Sequence, residues 1–389
     1  MTTATIHFFS QFVYLNLPPQ KGKTPTVGET IHFYLRTPLG KRLLEKRFGR
    51  TPREYQSWIE FLESAPQELL DWQIVDVLDD NAPHQSGFYG CTFLSPQGER
   101  VVAFRGSEML GNPHFKNDYN TDFALILCEK TPQQKMVDRY WAEYGNRPGA
   151  IWLTGHSLGG NLAAYGAFSA PDEVRRRIQK AVTFNAPGFC MEFLTQYQKP
   201  IQELGDRLVL YQNKFDIVSS LLEHPVKAQI VASRFDPTNL ENPTVWDMMY
   251  PHSNFQFERD EAGELVPDPG GEKSQLCQLV HSLSDMVLSL PLSLRKELME
   301  KTLQAIYHSP DSAAGRKAAL DTAGKFLTRH LTQAGAQTSA MVAYGASLLL
   351  GQNPLGFPAK LQQDSRQGAL AKTLLLLLHI LSLKVFGNP

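Results

Sequence analysis

A serine between two glycines is the residue in this chain whose setting is best suited to chemistry. An apolar run ends in Gly155-His-Ser157-Leu-Gly159, and a helix-forming segment rich in alanine follows. A strand, a tight turn and a helix form the setting of the Gly-x-Ser-x-Gly nucleophile motif, in which the turn thrusts the serine outward. The pattern therefore predicts Ser157 as a nucleophile. The alternative interpretation is a glycine-rich turn with an incidental serine.

A serine hydroxyl needs a base, and the base needs an orienting carboxylate. In strand–turn–helix hydrolases of this type the acid follows the serine in the chain and the histidine comes last. Asp216 follows the apolar run Leu208–Tyr211 after a short turn, whereas Asp206 precedes that run. The order predicts Asp216 as the acid. It could equally cap a helix that begins at Ile217, and one residue can do both.

Four histidines follow Asp216, namely His224, His252, His281 and His308. His224 is only eight residues further on, and the last two occupy amphipathic helical patterns. His252 stands in a loop-like segment before a predicted short strand, residues 255–258. A catalytic base is expected on a loop near the end of the sheet, so His252 is the predicted base.

An ester hydrolase also needs donors for the negative oxygen of its tetrahedral intermediate. One expected donor is the main-chain N–H of Leu158, the residue after the nucleophile. Ser107 is the second, because it follows the apolar run Arg100–Phe104 and an Arg-Gly turn. Alternatively, Arg105 only ends a strand and pairs with Asp118 or Asp122.

Alternating strands and helices are predicted to position these residues in a mainly parallel sheet flanked by helices. The predicted strands are Trp72–Leu78, Gly87–Leu94, Arg100–Phe104, Ile151–Thr154, Ala181–Phe184, Leu208–Tyr211 and Gln229–Ala232, with a hairpin at Pro96-Gln-Gly98. The predicted helices between them are Pro132–Tyr144, Leu158–Phe168 and Asp172–Gln179. Ligands of such sheets lie at the carboxyl ends of the strands, where Ser157 is expected.

Composition narrows the class of protein. The chain has 389 residues and a formal net charge of −1, which gives no general attraction for nucleic acid. Its four cysteines are widely spaced, so we expect unpaired core residues in a reducing compartment, no metal and no cofactor. The N-terminus lacks the pattern of a cleavable signal peptide. We expect a cytoplasmic protein or one exported by a dedicated system.

The sequence changes character near Pro267-Asp-Pro-Gly-Gly271, which predicts a domain boundary. Residues 1–270 form the predicted catalytic domain, and residues 271–389 a C-terminal all-helical region. Its predicted helices are Ser274–His308, Ala313–Ala334, Thr338–Leu350 and Gln367–Phe386. Residues 310–389 carry eight Lys or Arg and three Asp, and Leu374–Leu378 is continuously apolar. These helices are expected to contact a membrane surface, a protein partner or the catalytic domain.

Six blocks in order resemble the class 3 lipases, which are α/β-hydrolases that cleave glyceride and phospholipid esters. The blocks are Phe104-Arg-Gly-Ser107, Asp118-Tyr-Asn-Thr-Asp122, Gly155-His-Ser-Leu-Gly-Gly160, Thr183-Phe-Asn-Ala-Pro-Gly188, Asp216-Ile-Val and His252. The resemblance covers roughly residues 70–260, and the opening segment Phe9–Pro18 resembles a bacterial, phospholipase-like branch. It implies the nucleophile Ser157, the acid Asp216, the base His252 and the oxyanion donors Ser107 and Leu158. The family usually has Trp at position 119 and Gly at position 185, where this chain has Tyr and Asn.

The expected function is hydrolysis of lipid esters by a Ser-His-Asp triad, as a phospholipase A1 or lysophospholipase. The alternatives are a thioesterase or general carboxylesterase, and a membrane-binding or interaction protein on a catalytically weak hydrolase scaffold. Apolar residues near the motifs are candidates to line the acyl site. They are Met109, Leu110 and Phe115, in a segment predicted as a lid, and Trp246 and Tyr250 beside His252. The alternatives are an ordinary surface loop for the first three residues and core positions for the other two.

Overall fold

The computed structural model describes residues 1–17, 24–49, 51–81, 85–107, 125–127, 129–240, 245–307 and 322. Seven strands form one sheet in the order of the sequence. They are β1 Gln73–Asp80, β2 Phe88–Leu94, β3 Arg100–Phe104, β4 Ile151–His156, β5 Ile178–Phe184, β6 Leu208–Asn213 and β7 Gln229–Val231. The first three strands pair antiparallel and strands β3 to β7 pair parallel. The expected mainly parallel sheet is confirmed.

Helices cover both faces of this sheet. They are α1 Thr3–Phe12, α2 Val27–Arg36, α3 Pro38–Phe48, α4 Pro52–Glu63, α5 Pro132–Tyr144, α6 Leu158–Ser169, α7 Asp172–Arg175, α8 Met191–Gln196, α9 Gln198–Leu204, α10 Val245–Met249, α11 Gln275–Leu288 and α12 Leu292–Tyr307. Residues of β3 show the two-residue period of a sheet buried on both faces. Val101 and Ala103 pack with α1–α4, whereas Val102 and Phe104 pack with α5 and α6.

All seven predicted strands are present, and so is the hairpin between β2 and β3. Two local predictions are wrong. The helix predicted over Asp172–Gln179 ends at Arg175, because the chain enters β5 at Ile178. Residues 255–258 are not a strand: Asn254–Gln256 is a 3₁₀ turn, and Phe257 makes a single bridge to Ser233.

The predicted helix Ser274–His308 is two helices, α11 and α12, separated at Pro291. Proline has no N–H to donate and clashes with the preceding turn, so it begins a helix more readily than it continues one. The α11 helix packs against the loop after β6, where the N–H of Leu222 donates to Ser284 Oγ across 2.8 Å. The three later predicted helices lie, apart from Thr322, outside the described residues. None of the helices in the described part of the chain has the length and hydropathy needed to cross a bilayer.

The cysteines divide into two kinds. Cys91 and Cys277 are buried free thiols, and burial raises the pKa of both. Cys190, which precedes α8, is disulfide-bonded. Cys190 is a buried core residue as expected, but the expectation that it is unpaired is wrong. Cys128 lies outside the described residues.

Candidate active site

Ser157 lies in a strained turn between β4 and α6. Its φ of 58° and ψ of −132° are rare for a residue with a side chain and cost about 1–3 kcal/mol. Two hydrogen bonds hold it there. The N–H of Ser157 donates to Phe184 O at 2.9 Å, which extends the β4–β5 ladder, and the N–H of Gly160 donates to Ser157 O at 2.9 Å, which begins the helix. The surrounding structure therefore fixes the strain at the predicted nucleophile.

The glycines of the motif allow backbones to pass in close contact. A Cβ at Gly155 would collide with the backbone of Gly159. A Cβ at Gly159 would lie 2.7 Å from the main-chain nitrogen of Gly106 and would collide with the carbonyl of Phe104. The start of α6 therefore packs directly against the turn that follows β3. This packing brings the predicted oxyanion residues, Ser107 and Leu158, to the same edge of the sheet.

Leu158 is the first residue of α6. The first N–H groups of a helix have no acceptor within it and carry its positive end. The N–H of Leu158 is therefore suited to a developing negative charge. Arg105, just before Gly106 and Ser107, lies over the ring of Tyr89 at 4.6 Å and donates to Asn16 Oδ1 at 3.3 Å. Its expected alternative partners, Asp118 and Asp122, lie outside the described residues.

Asp216 and His252 are in direct contact. His252 Nδ1 lies 2.9 Å from Asp216 Oδ1, and the Asp216 side chain is fully buried. The same carboxylate accepts hydrogen bonds at 3.0 Å from the N–H groups of Val218 and Ser219. Asp216 therefore both caps the following 3₁₀ turn and contacts the imidazole.

Charge and burial act in opposite directions on Asp216. Burial on its own raises the pKa of the carboxyl. The charge and hydrogen bond of His252 and the ammonium of Lys273 outweigh burial, and the pKa lies below its ordinary value. Lys273 also donates to three oxygens of the loop after β6: Asn213 O at 2.8 Å, Asp216 O at 2.6 Å and Ser219 Oγ at 2.9 Å. The acid is thus ionised and its loop is held at several points.

The main-chain oxygen of His252 is held by two side chains from neighbouring strand ends. His156 Nε2 lies 2.7 Å from this oxygen, and Asn185 Nδ2 donates to it at 3.0 Å and to Pro251 O at 3.3 Å. His156 is the last residue of β4 and adjoins Ser157, and its ring centroid lies 4.7 Å from that of His252. The segment carrying the predicted base is therefore attached to the strand carrying the predicted nucleophile.

Tyr14 completes this arrangement from the N-terminal region. Its hydroxyl lies 3.3 Å from His156 Nδ1 and donates to His156 O at 3.3 Å. Sequence reasoning assigned no role to Tyr14, His156, Asn185 or Lys273. Tyr14, His156 and Asn185 lie in segments that resemble the class 3 lipases, but their contacts, like those of Lys273, join residues far apart in the chain.

The other histidines stand apart from the Asp216 carboxylate. His224 Nε2 lies 2.8 Å from Ser219 O, and burial, with Lys273 nearby, lowers the pKa of His224 to about 4. His281, on α11, has Nδ1 3.3 Å from Ser220 O. His308 lies outside the described residues. Among the described histidines, His252 is the one in contact with the carboxylate of Asp216.

The candidate substrate-binding residues are only partly described. Met109, Leu110 and Phe115 lie outside the described residues, as does the side chain of Trp246. Tyr250 precedes His252 by two residues. Its ring packs edge-on against Phe235, with centroids 5.0 Å apart, and the guanidinium of Arg53 lies 4.6 Å from its centroid.

One group of metal-ligating side chains is present in the described part of the chain, formed by Glu223, His281 and Asp285. Its ligand atoms lie within 4.8 Å of one another on a partly exposed surface. Burial and the neighbouring Asp285 carboxylate raise the pKa of Glu223. A raised carboxyl pKa is the expected result of placing two acids side by side, and nothing further marks the cluster as a site.

The model of the Mbeg1-like family matches residues 67–264 of this chain. The matched part contains the whole sheet and all five predicted catalytic and oxyanion residues, and excludes α1–α4. A search of curated proteins finds no match.

A comparison with solved structures finds matches to several lipases. Extracellular lipase LipA from Serratia marcescens is 13% identical with a TM-score of 0.30, over 57% of this chain and 41% of the lipase. The propeptide complex of Rhizomucor miehei lipase is 14% identical, TM-score 0.29, over 57% of this chain and 79% of the lipase. Lipase from Rhizopus microsporus var. chinensis is 15% identical with a TM-score of 0.30, over 57% of this chain and 86% of the lipase. The match thus spans less than half of the Serratia enzyme. At these identities and TM-scores, the similarities carry no conclusion about the activity of this chain.

Proposed function

Because residues 67–264 match its model, this chain belongs to the Mbeg1-like family, and we propose that it is a serine hydrolase of lipid esters. One observation carries the proposal: the 2.9 Å contact between His252 Nδ1 and the buried carboxylate of Asp216, on a segment attached to the strained turn of Ser157. A buried, ionised carboxylate on one imidazole nitrogen leaves the other nitrogen to act as a base.

In the proposed reaction Ser157 Oγ attacks the ester carbonyl while His252 Nε2 takes its proton. Asp216 orients the imidazole and stabilises the imidazolium that forms. The N–H of Leu158 and the Ser107 turn donate to the oxyanion. The intermediate then breaks the bond to the leaving alcohol, which receives the proton from His252. A water molecule, activated by the same histidine, hydrolyses the acyl-enzyme and restores Ser157.

The ionised state of Asp216 supports this assignment of roles. A carboxylate that already accepts two main-chain N–H bonds and one bond from His252 Nδ1 has little tendency to take up a proton. It therefore fixes the imidazole tautomer that carries hydrogen on Nδ1. His224 Nε2 lies against Ser219 O and the side-chain amide of Gln212, and no carboxylate of the described residues forms a hydrogen bond with it.

The proposed substrates are phospholipids or lysophospholipids, hydrolysed with phospholipase A1 or lysophospholipase activity. The resemblance of the sequence to class 3 lipases supports the lipid class. Hydrolysis of thioesters or small carboxylic esters is the second candidate, since the same triad attacks either acyl group. A non-catalytic membrane-binding role for a hydrolase scaffold is less well supported, because a chain without catalysis has no need for a strained serine or a buried Asp216–His252 pair.

The first test is hydrolysis of p-nitrophenyl butyrate by the Ser157→Ala variant of the full chain. Because the nucleophile is removed, we expect kcat to fall by about four orders of magnitude or more. Ser169→Ala is the matched control, since it makes the same change at the other end of α6. Thermal unfolding of both variants reports on the fold. Activity of Ser157→Ala equal to that of the control would contradict the proposal.

Substrate class is tested by mass spectrometry of lipid products. A phosphatidylcholine with different acyl chains at its two positions distinguishes them: release of the sn-1 chain indicates phospholipase A1. Release only from the lysophospholipid indicates a lysophospholipase. A matched pair of oxygen ester and thioester tests the second candidate, and preference for the thioester with no lipid product would replace the lipid assignment.

A further inference from the structure

Helix α3 presents an apolar and basic face to solvent. Four residues at positions i, i+3, i+4 and i+7 form it, and all four are exposed: Leu39, Arg42, Leu43 and Lys46. Leu39 is 44% exposed and Leu43 is 40% exposed, one helical turn apart. Among the described residues, no other helix exposes two large apolar side chains to this degree. Residues at this spacing share one side of a helix, which we call the α3 face.

The opposite side of the same helix is already buried, because Gly40, Leu44 and Phe48 pack into the core with α2 and α4. The exposed leucines are therefore not needed to fix α3 in the fold. Both leucines are available for a contact outside the fold.

The charge of the residues around α3 indicates what kind of partner the α3 face would bind. Residues 36–49 contain five Lys or Arg and one acid, Glu45. In the part of the chain that the structure describes, Arg42 and Lys46 form no ion pair with another residue. Unpaired cations beside exposed leucines are the composition of helices that lie on anionic lipid surfaces. The residues at 310–389 carry excess positive charge themselves, so they are poorly matched to this face.

The last turn of α3 is linked to the segment before the predicted oxyanion residues. Arg47 donates to Asn16 Oδ1 at 2.8 Å, and Arg105 donates to the same oxygen at 3.3 Å. Arg105 is two residues before Ser107. Helix α3, which carries the α3 face, therefore packs beside the edge of the sheet where the carboxyl ends of the strands lie.

A second link leads from α3 to the segment after His252. The ring of Phe48 stacks on Trp58 with centroids 3.8 Å apart, and Trp58 meets Phe255 edge-on at 5.5 Å. Phe255 follows His252 by three residues. Packed aromatic rings thus connect the helix to the segment that carries the predicted base.

We propose that the α3 face, Leu39, Arg42, Leu43 and Lys46, binds the surface of a lipid bilayer that contains anionic phospholipids. The leucines enter the boundary between headgroups and acyl chains, and the cations contact phosphate groups. Binding of the α3 face to a bilayer does not depend on catalysis. Its role in bringing the active site to a lipid substrate rests on the proposed function.

The test is co-sedimentation of the full chain with vesicles of phosphatidylcholine alone, and with vesicles containing about one third phosphatidylglycerol. We expect binding to the anionic vesicles and little to the neutral ones. Arg42→Glu/Lys46→Glu should weaken binding at least about tenfold, since each cation near such a surface contributes about 1 kcal/mol. Leu39→Ser/Leu43→Ser should weaken it about tenfold through lost apolar burial.

Matched controls separate a local contact from net charge. Lys199→Glu/Lys227→Glu changes the net charge by the same amount at exposed lysines elsewhere, and Leu240→Ser removes a leucine that is 39% exposed. Both should bind as the unchanged protein does. Equal weakening by the two charge reversals would overturn the proposal, as would unchanged binding of the α3 variants or no binding by the unchanged chain.

Turnover of soluble p-nitrophenyl butyrate distinguishes failure of docking from failure of hydrolysis. All α3 variants should hydrolyse this ester at the unchanged rate, because none of the altered residues contacts the proposed triad. Ser157→Ala should lose turnover and keep vesicle binding. Loss of soluble-ester turnover in the α3 variants would show that the face supports the site itself and would overturn its role in docking.

Discussion

Asn185 donates a hydrogen bond to the main-chain oxygen of His252 across 3.0 Å. Asn185 follows β5 directly and has a φ of 48°, a conformation that asparagine tolerates better than most residues. Its Oδ1 atom accepts a hydrogen bond at 2.8 Å from the N–H of Asn213, at the end of β6. One side chain therefore sets the distance between the strand that leads to Asp216 and the segment that carries His252.

This relationship predicts the effect of Asn185→Gly. Glycine keeps the positive φ, so the turn can form, but the three side-chain hydrogen bonds are lost. We expect kcat for p-nitrophenyl butyrate to fall about 10- to 100-fold with KM little changed, because a small misplacement of the base slows the chemical step. The free energy of unfolding should fall by about 1–3 kcal/mol.

Steady-state kinetics and urea unfolding measure these two effects. Asn239→Gly is the control, since it makes the same replacement on an exposed turn. If Asn185→Gly kept the kcat of the control, Asn185 would not position His252.

The assignment of the base predicts a large difference between two histidine variants. His252→Ala should lower kcat by about four orders of magnitude or more, because it removes the group that accepts the serine proton. His224→Gln should retain most of the activity, since His224 contacts Ser219 O and not the acid's carboxylate. Initial rates of ester hydrolysis by the two folded variants measure this difference. A larger loss of activity in His224→Gln than in His252→Ala would make His224 the base.

His224 also predicts how stability depends on pH. Burial lowers its pKa from 6.5 to about 4 in the folded chain, so the unfolded chain binds the proton first as pH falls. His224 therefore contributes full stability above pH 6.5, and this is lost as pH falls toward 4. The loss is about 3 kcal/mol. The pKa of Asp216 lies below its usual 3.8, so its contribution to stability is lost over a separate, more acidic pH range.

Urea unfolding of the unchanged chain and of His224→Gln at pH values from 6.5 to 4 measures this dependence. The variant should lose stability less steeply on acidification. Parallel curves for the two proteins would mean that His224 is not buried in its neutral form.

Strands and helices near the nucleophile could be predicted closely because local patterns define them. The strand β3 and the helix α5 have the predicted bounds, Arg100–Phe104 and Pro132–Tyr144. A continuous apolar run between turn signals identifies the strand, and Thr131 before a proline and Gln134 forms a capping box. Chain order and the position after a strand select Asp216, and a loop-like position selects His252 among four later histidines. The structure places these two side chains in contact.

The N-terminal helices could have been predicted but were not. Threonine precedes all four of them, with a capping box at Thr26 and Glu29 and a proline after Thr37 and after Thr51. These are helix-start signals that need no knowledge of the fold. The contacts of Tyr14, His156 and Asn185 are different, because they join residues far apart in the chain. No spacing rule within one segment can identify such pairs.

Covalent labelling of Ser157 tests the central claim most directly. A fluorophosphonate reacts with a serine only when a neighbouring base activates its hydroxyl. Intact mass spectrometry should show one adduct on the unchanged chain, and peptide mapping should place it on Ser157. Ser157→Ala should take up none, and His252→Ala should react far more slowly. An unlabelled chain, or an adduct on another serine that persists in Ser157→Ala, would contradict the account.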